Sequence, residues 1–229
     1  MKNTTLKFKD QETKEDKELW LSKEIKDCAH SYHFPDLNTR IPLKFKNKNR
    51  IAVDVGANVG AFCCYASPYF DKIYAIEAAK NTYEVLKENT EHLENIEAEH
   101  FAAAATTGDT IKLTAHPGGL SGDTSAFGSR DESTVLSEDS ETISLEDIYK
   151  RYDLEYIDYL KVDCEGSEYD FLMNKDLSRI NYMAIEVHPG FVGEEKIEKL
   201  KTYFQKYFAL NYTIGEHILF YRAWPHHVA

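Results

Sequence analysis

Residues 51–60 read IAVDVGANVG, and this stretch decides the fold. Ile51, Ala52, Val53 and Val55 are apolar and three of them are β-branched, which suits a strand buried on both faces. Asp54 interrupts the run just before a turn built on Gly56, Ala57, Asn58 and Gly60. An apolar, helix-like segment, AFCCYASPYF, follows at residues 61–70. A buried strand that enters a glycine turn and then a helix is an architecture that holds nucleotides. Glycine lets backbone approach a ligand, and asparagine tolerates left-handed conformations.

The spacing narrows the ligand. A dinucleotide site uses G-x-G-x-x-G, with helix amides facing a pyrophosphate. Here the string is Asp54-x-Gly56-x-Asn58-x-Gly60: the middle glycine is replaced and the last falls one residue early. The acid two residues before the first glycine is expected to face the ligand, where a carboxylate suits a cationic amino-acid group better than a diphosphate. S-adenosylmethionine carries an ammonium and a sulfonium and no phosphate. A tight strand-to-helix turn with no ligand is the plainer alternative.

The chain has 229 residues, of which 42% are hydrophobic, enough for one α/β domain with a sizeable core. No run of about 18 apolar residues exists, so no transmembrane helix is expected. The charged N-terminus, MKNTTLKFKDQETKEDKE, lacks the apolar stretch of a signal peptide, and a cytoplasmic location is expected. The net charge of −12 argues against broad binding to nucleic-acid phosphate. That charge is uneven: residues 1–50 hold 12 basic against 8 acidic side chains, and the acids dominate the rest. Lys44, Lys46, Lys48 and Arg50 form a basic approach to the first core strand. Cys28, Cys63, Cys64 and Cys164 contain no C-x-x-C pair, so reduced thiols are expected and a zinc site is not. His30 and His33 lack a third ligand nearby in sequence and read as structural. The oligomeric state is not legible.

Residues 1–49 read as a flexible segment followed by a capping helix over 16–30, with a short strand around Ile41 to Phe45. Residues 50–229 read as the main domain. Strands are expected at 51–55, 72–77, within 96–104, at 111–114, 157–163 and 180–187. Helices are expected at 81–93, from 167 to 173 and at 194–207. The closing segment, FALNYTIGEHILFYRAW, reads as two strands meeting at Gly215. Repeated strand–helix units imply a doubly wound, Rossmann-like α/β sheet of about seven strands, mostly parallel, with a C-terminal antiparallel hairpin. Such a sheet binds its ligand beyond the carboxyl ends of its strands. The Gly-, Ser- and Asp-rich tract from His116 to Ser140 is long for a compact domain and reads as a substrate loop.

Acids converge on that edge. Asp54 lies at the end of the first core strand, and Glu77 ends the second, 17 residues after Gly60, where an acid can accept from ribose hydroxyls. The 157–163 strand runs out through Lys161-Val-Asp163-Cys-Glu165-Gly166, and period-two alternation puts Lys161, Asp163 and Glu165 on one side. The 180–187 strand ends in Glu186-Val-His188, again sharing parity. His188 suits general-base work, whereas Asp163, Glu165, Glu186 and His188 together could hold a hard divalent cation such as Mg²⁺. The sequence leaves both uses open.

These residues resemble the FkbM family of S-adenosylmethionine-dependent methyltransferases. The matching strings are VDVGANVG at 53–60, YAIEA at 74–78, AAAATTGD at 102–109, ISLEDI at 143–148, LKVDCEGSEYDFL at 160–172 and IEVH at 185–188. The resemblance implies a Rossmann-like methyltransferase that methylates a hydroxyl oxygen of a sugar or other small metabolite. It makes Asp54, Gly56, Ala57, Asn58 and Gly60 the methionine-end site, with Asp163 close by, and Glu77 the ribose acceptor. Phe101 and Ala102 would line the adenine, and Ser125 would lie in a substrate loop. Ala78 stands where the family usually has proline. Methyl transfer to oxygen also requires loss of the hydroxyl proton, which assigns Asp163, Glu165 or His188 as the base and Lys161 as organiser of the carboxylates. Two alternatives differ in class. A cofactor-binding sensor or partner subunit would not need the KVDCEGSE acids. An NAD-dependent oxidoreductase would need the diphosphate glycine spacing and a set such as Tyr-x-x-x-Lys, absent at Tyr65 and Tyr203.

Overall fold

A computed structural model describes residues 4–9, 16–21, 50–115, 136–214 and 217–224. Strands β1 (Thr4–Lys9) and β2 (Asp16–Leu21) pair antiparallel, Thr4 opposite Leu21. A strand thus stands at residues 16–21, where the helix was expected to begin. Leu6 and Phe8 alternate with Thr5, Lys7 and Lys9 in β1, which is a strand period, and β2 ends in the apolar run Leu19-Trp20-Leu21. Cys28, His30, His33, the strand expected near Ile41 and the lysines from Lys44 to Lys48 lie outside the described residues.

The central sheet has seven strands in the order β11-β12-β10-β9-β3-β4-β5. These are β3 (Ile51–Val55), β4 (Lys72–Glu77), β5 (Ile96–His100), β9 (Ile157–Val162), β10 (Ile180–Glu186), β11 (Phe208–Ile214) and β12 (Ile218–Ala223). Pairs β3–β4, β4–β5, β3–β9 and β9–β10 are parallel, while β12 runs antiparallel to β10 and β11. The doubly wound sheet and the closing hairpin match the sequence expectation. Gly215 itself falls outside the described residues, between Ile214 and Ile218, which pair.

Helices α1 (Ala61–Ala66), α2 (Lys80–Thr90), α3 (Leu145–Arg151), α4 (Glu168–Leu172), α5 (Pro189–Val192) and α6 (Glu194–Phe204) connect the strands. Alternation along β3 feeds two cores. Val53 and Val55 pack on one face with Leu160, Val162, Ile185 and Phe171; Ala52 packs on the other with Phe62, Cys63, Ile73 and Tyr159. Every residue of β9 is buried, Lys161 included. Each large apolar side chain taken fully out of water in these cores contributes about 1.5–3 kcal/mol before entropy is counted.

Beside the main sheet, β6 (Ala102–Ala103), β7 (Thr110–Ala115) and β8 (Leu136–Ile143) form a three-stranded sheet in the order β6-β8-β7. Residues 136–140 of the expected substrate loop are therefore strand, zipped against β7 with Ser140 opposite Ile111. The rest of that tract, Ser125 included, lies outside the described residues.

Candidate active site at the strand ends

The turn after β3 owes its shape to neighbouring backbone. Gly56 has φ +74°, and a Cβ built there would lie 1.7 Å from the Asp163 carbonyl oxygen. Asp163 N–H in turn donates to Val55 O at 2.9 Å. A Cβ at Gly60, φ +86°, would meet Leu86 Cδ1 of α2 at 2.7 Å. Both glycines, expected to admit a ligand, thus admit other parts of the chain. Asn58 takes φ +50°, and its Oδ1 accepts from Val59 N–H at 2.8 Å, the local bond that makes asparagine tolerable in left-handed backbone.

Asp54, expected to face the ligand, is bonded within the protein on both oxygens. It shares the parity of Ala52, points toward α1 and is completely buried. Register places it directly opposite Lys161, whose Nζ donates to Asp54 Oδ1 at 3.0 Å, while the Cys63 thiol donates to Oδ2 at 3.2 Å. Burial raises the Asp54 pKa and the Lys161 ammonium opposes it. Burial would also lower Lys161, but Asp54 and Asp163 hold it charged, with its pKa above the ordinary lysine value. The opposed shifts are resolved by the geometry: a salt bridge this short, with Nζ also donating to Gly56 O at 3.2 Å, keeps both groups ionised. Lys161 thus ties Asp54 to the turn, and its Nζ lies 3.9 Å from Asp163 Oδ2.

Glu77 closes β4 under the same turn. Its Oε2 accepts from Asn58 N–H and its Oε1 from Ala79 N–H, each at 2.9 Å. Burial pushes its carboxyl up to about 7 against the pull of these two amides. Each oxygen retains a lone pair for a hydroxyl donor. Ala57 and Ala102 are buried, whereas Ala78 and Phe101 are partly exposed. The Ala78 carbonyl lies 2.8 Å from His100 Nε2, and the Arg151 guanidinium sits 5.1 Å over the Phe101 ring.

Beyond β9 and β10 the acids gather around His188. Its Nε2 lies 3.3 Å from Glu165 Oε2, 3.9 Å from Asp163 Oδ1 and 4.0 Å from Glu186 Oε1. Its Nδ1 is 2.6 Å from Glu168 Oε1, which also accepts from Gly166 N–H at 3.0 Å. Burial would depress the imidazole, but Glu168, Glu165 and Asp163 push it up to about 9. For Glu165 the balance reverses: burial, with Asp163, Glu186 and Glu168, outweighs His188 and pushes the carboxyl up to about 8. The surrounding carboxylates favour the protonated imidazole, and a cation bound among them would compete for the Nε2 position. Glu168, completely buried, is the site residue missed in the sequence. Placed in the first turn of α4, it reads there as an ordinary N-terminal acid.

Tyr83 and Lys87 do have the Tyr-x-x-x-Lys spacing, but Tyr83 stacks on His100 of the edge strand β5, ring centroids 5.4 Å apart. Cys63, Cys64 and Cys164 are free thiols, as expected. No described helix is long and apolar enough to cross a membrane.

The chain is 26% identical over 164 residues to the hexuronic acid methyltransferase AglP of Haloferax volcanii, covering 70% of this chain and 65% of that protein, so it matches just under two thirds of the relative's length. The fold is similar to the Methanococcus jannaschii fibrillarin pre-rRNA processing protein, at 13% identity and a TM-score of 0.55, covering 97% of this chain and 82% of that one. It is also similar to M. capricolum TrmK, solved with S-adenosyl-homocysteine, at 12% identity and a TM-score of 0.48, covering 83% of this chain and 66% of that one. Residues 54–220 match the methyltransferase FkbM domain, and the chain belongs to that family.

Proposed function

We propose that this chain transfers a methyl group from S-adenosylmethionine to a hydroxyl oxygen of a sugar or another small metabolite. One observation carries the reading. In an FkbM-family chain, Glu77 and the Asp163–Glu165–His188 cluster stand at the carboxyl ends of parallel strands of one sheet, on either side of β3, where doubly wound sheets bind ligands. The relative AglP, a hexuronic acid methyltransferase, supports a sugar-like acceptor.

The residues present fit the cofactor. Glu77 is pinned by two backbone amides yet keeps acceptor capacity for ribose hydroxyls. Gly56, Ala57, Asn58 and Gly60 would hold the methionine end, Phe101 and Ala102 the adenine, and Asp163 lies between the two halves. Asp54, being buried, would act only by holding Lys161 and the turn. When bound, the cofactor supplies a methyl group on a positively charged sulphur.

The chain must position the acceptor oxygen and take its proton. Asp163, whose Oδ1 accepts no hydrogen bond within the protein, is the carboxylate best placed to promote that step, either by receiving the proton or by holding a cation that acidifies the hydroxyl. Lys161 Nζ stands 3.9 Å from the other oxygen, Oδ2. Such general-base help is worth about 10²–10⁴-fold in rate. Equilibrium dialysis with radiolabelled S-adenosylmethionine tests donor binding, and a screen of glycosides and hydroxylated metabolites for the mass gain of one methyl group tests transfer. Folded protein that retains no donor refutes the proposal. Donor retention with no transfer across the panel favours the sensor reading.

A further inference from the structure

Asp163 Oδ1 is buried without a hydrogen-bond partner, on a side chain only 10% exposed. An unsatisfied buried carboxylate oxygen is costly, and a native fold keeps one where something else completes it. Lys161 does not complete it, because its Nζ approaches the other oxygen, at 3.9 Å, and is bonded to Asp54 and Gly56 O. Asp163 Oδ1 instead faces His188 Nε2, at 3.9 Å, with Glu165 Oε2 3.3 Å from the same nitrogen.

The imidazole is aimed. Glu168, fully buried, accepts from Nδ1 at 2.6 Å, which turns Nε2 toward the two carboxylates. A carboxylate behind a histidine is the usual outer support of a metal-binding imidazole, fixing both ring orientation and tautomer. The backbone supports the same convergence. Glu165 adopts φ +48° and Gly166 φ +112°, so the chain turns sharply after β9, and Gly166 N–H is tied to the same Glu168 oxygen.

The spacing fits an ion. Asp163 Oδ1, Glu165 Oε2 and His188 Nε2 all lie within 4.8 Å of one another. Six donors about 2.1 Å from a small divalent cation are about 3 Å apart when adjacent and about 4.2 Å apart when opposite. The distances from Nε2, 3.3 and 3.9 Å, fall between these limits. Two oxygens and one imidazole nitrogen suit the Mg²⁺ and Mn²⁺ class better than a thiolate-seeking metal.

We propose that Asp163 Oδ1, Glu165 Oε2 and His188 Nε2 bind one six-coordinate divalent cation of the Mg²⁺/Mn²⁺ class, with Glu168 as a positioning residue and Glu186 as the nearest further carboxylate. Three protein ligands leave coordination positions for water and for an acceptor hydroxyl. The binding site stands on the geometry alone; its use in orienting the acceptor rests on the proposed methyl transfer.

Mn²⁺ alone tests the site. The full chain, free of methyl donor, is titrated while the electron paramagnetic resonance signal of the free ion is followed. One ion per chain is expected, displaced by excess Mg²⁺. Asp163→Asn and Glu165→Gln should each weaken binding at least about tenfold. Glu168→Gln should weaken it about 10–100-fold by releasing the imidazole. Glu99→Gln, on the edge strand β5, should leave it unchanged. Melting curves establish that each variant is folded, and if Asp163→Asn is not, Glu165→Gln, on the more exposed turn, decides alone. The site is overturned if wild-type protein binds no Mn²⁺, or if folded Glu165→Gln protein binds it as tightly as wild type. Donor binding is measured separately by equilibrium dialysis. Donor retained without any Mn²⁺ binding defeats this site and leaves the proposed function standing; Mn²⁺ bound without donor does the reverse.

Discussion

Asp54 and Asp163 stand on neighbouring strands at the same end of the sheet, and they do opposite things. Asp54 is sealed beneath α1, with Lys161 on one oxygen and Cys63 on the other. Asp163 sits just past its strand, with one oxygen beside Lys161 and the other without a hydrogen-bond partner. The difference comes from where each strand ends. Asp54 is still inside β3 and must point to one face, whereas Asp163 is the residue after β9, where its N–H bonds Val55 O and the chain then turns. A carboxylate with both oxygens occupied holds the scaffold. One with an orphaned oxygen is available for chemistry.

Breaking the sealed side should have the largest effect on stability. Lys161→Met leaves Asp54 as an uncompensated buried charge and should cost about 3–5 kcal/mol in urea denaturation. The double variant Asp54→Asn/Lys161→Met should recover much of that loss, because no isolated charge remains; strict additivity would show that the two groups are not coupled. Next is Gly56→Ala, which forces a Cβ against Asp163 O in a backbone conformation suited to glycine. It should cost about 2–3 kcal/mol and impair donor binding, and a variant with wild-type melting would refute the close approach.

The open side should show itself through pH. Burial pushes the Glu77 carboxyl up to about 7. Its folded-state pKa is thus above its ordinary value, so this group favours folding at low pH. Its contribution is lost as pH rises from about 4.5 toward 7. Ribose hydroxyls donate best to the ionised form, so donor affinity should rise with pH across the same region, by up to about tenfold (1.4 kcal/mol) between pH 6 and 8. Glu77→Gln should flatten that profile; a profile unchanged by the substitution would remove Glu77 from the donor site. The smallest effect is expected away from both regions. Arg151 pairs with Glu99 at 2.9 Å on the partly exposed edge, and Glu99→Gln should change stability by no more than about 1 kcal/mol.

Much of the fold was legible because the core strands are continuous apolar runs bounded by turn residues. The 136–143 strand was not, since LSEDSETI is dominated by polar side chains and gains order by pairing with β7. The helix after it carried an unused signal: Ser144 caps it, accepting from Asp147 N–H at 3.3 Å, with Lys150 and Arg151 in the last turn. At the site, the strand ends named Asp163, Glu165 and His188, and the structure brings one ligand atom of each within 4.8 Å of the others. Parity could not show that Asp54 meets Lys161, which depends on the register between strands about a hundred residues apart, nor that Glu168 folds back under His188.

The missing side chain at Gly56 has a wider consequence. It brings the turn after β3 into van der Waals contact with the backbone that carries Asp163, so neither segment can shift without displacing the other. The donor half and the acceptor half of the site are in that sense one mechanical part. Whatever tightens one should be felt by its counterpart, and by thermodynamic reciprocity each ligand should alter the other's affinity by the same factor.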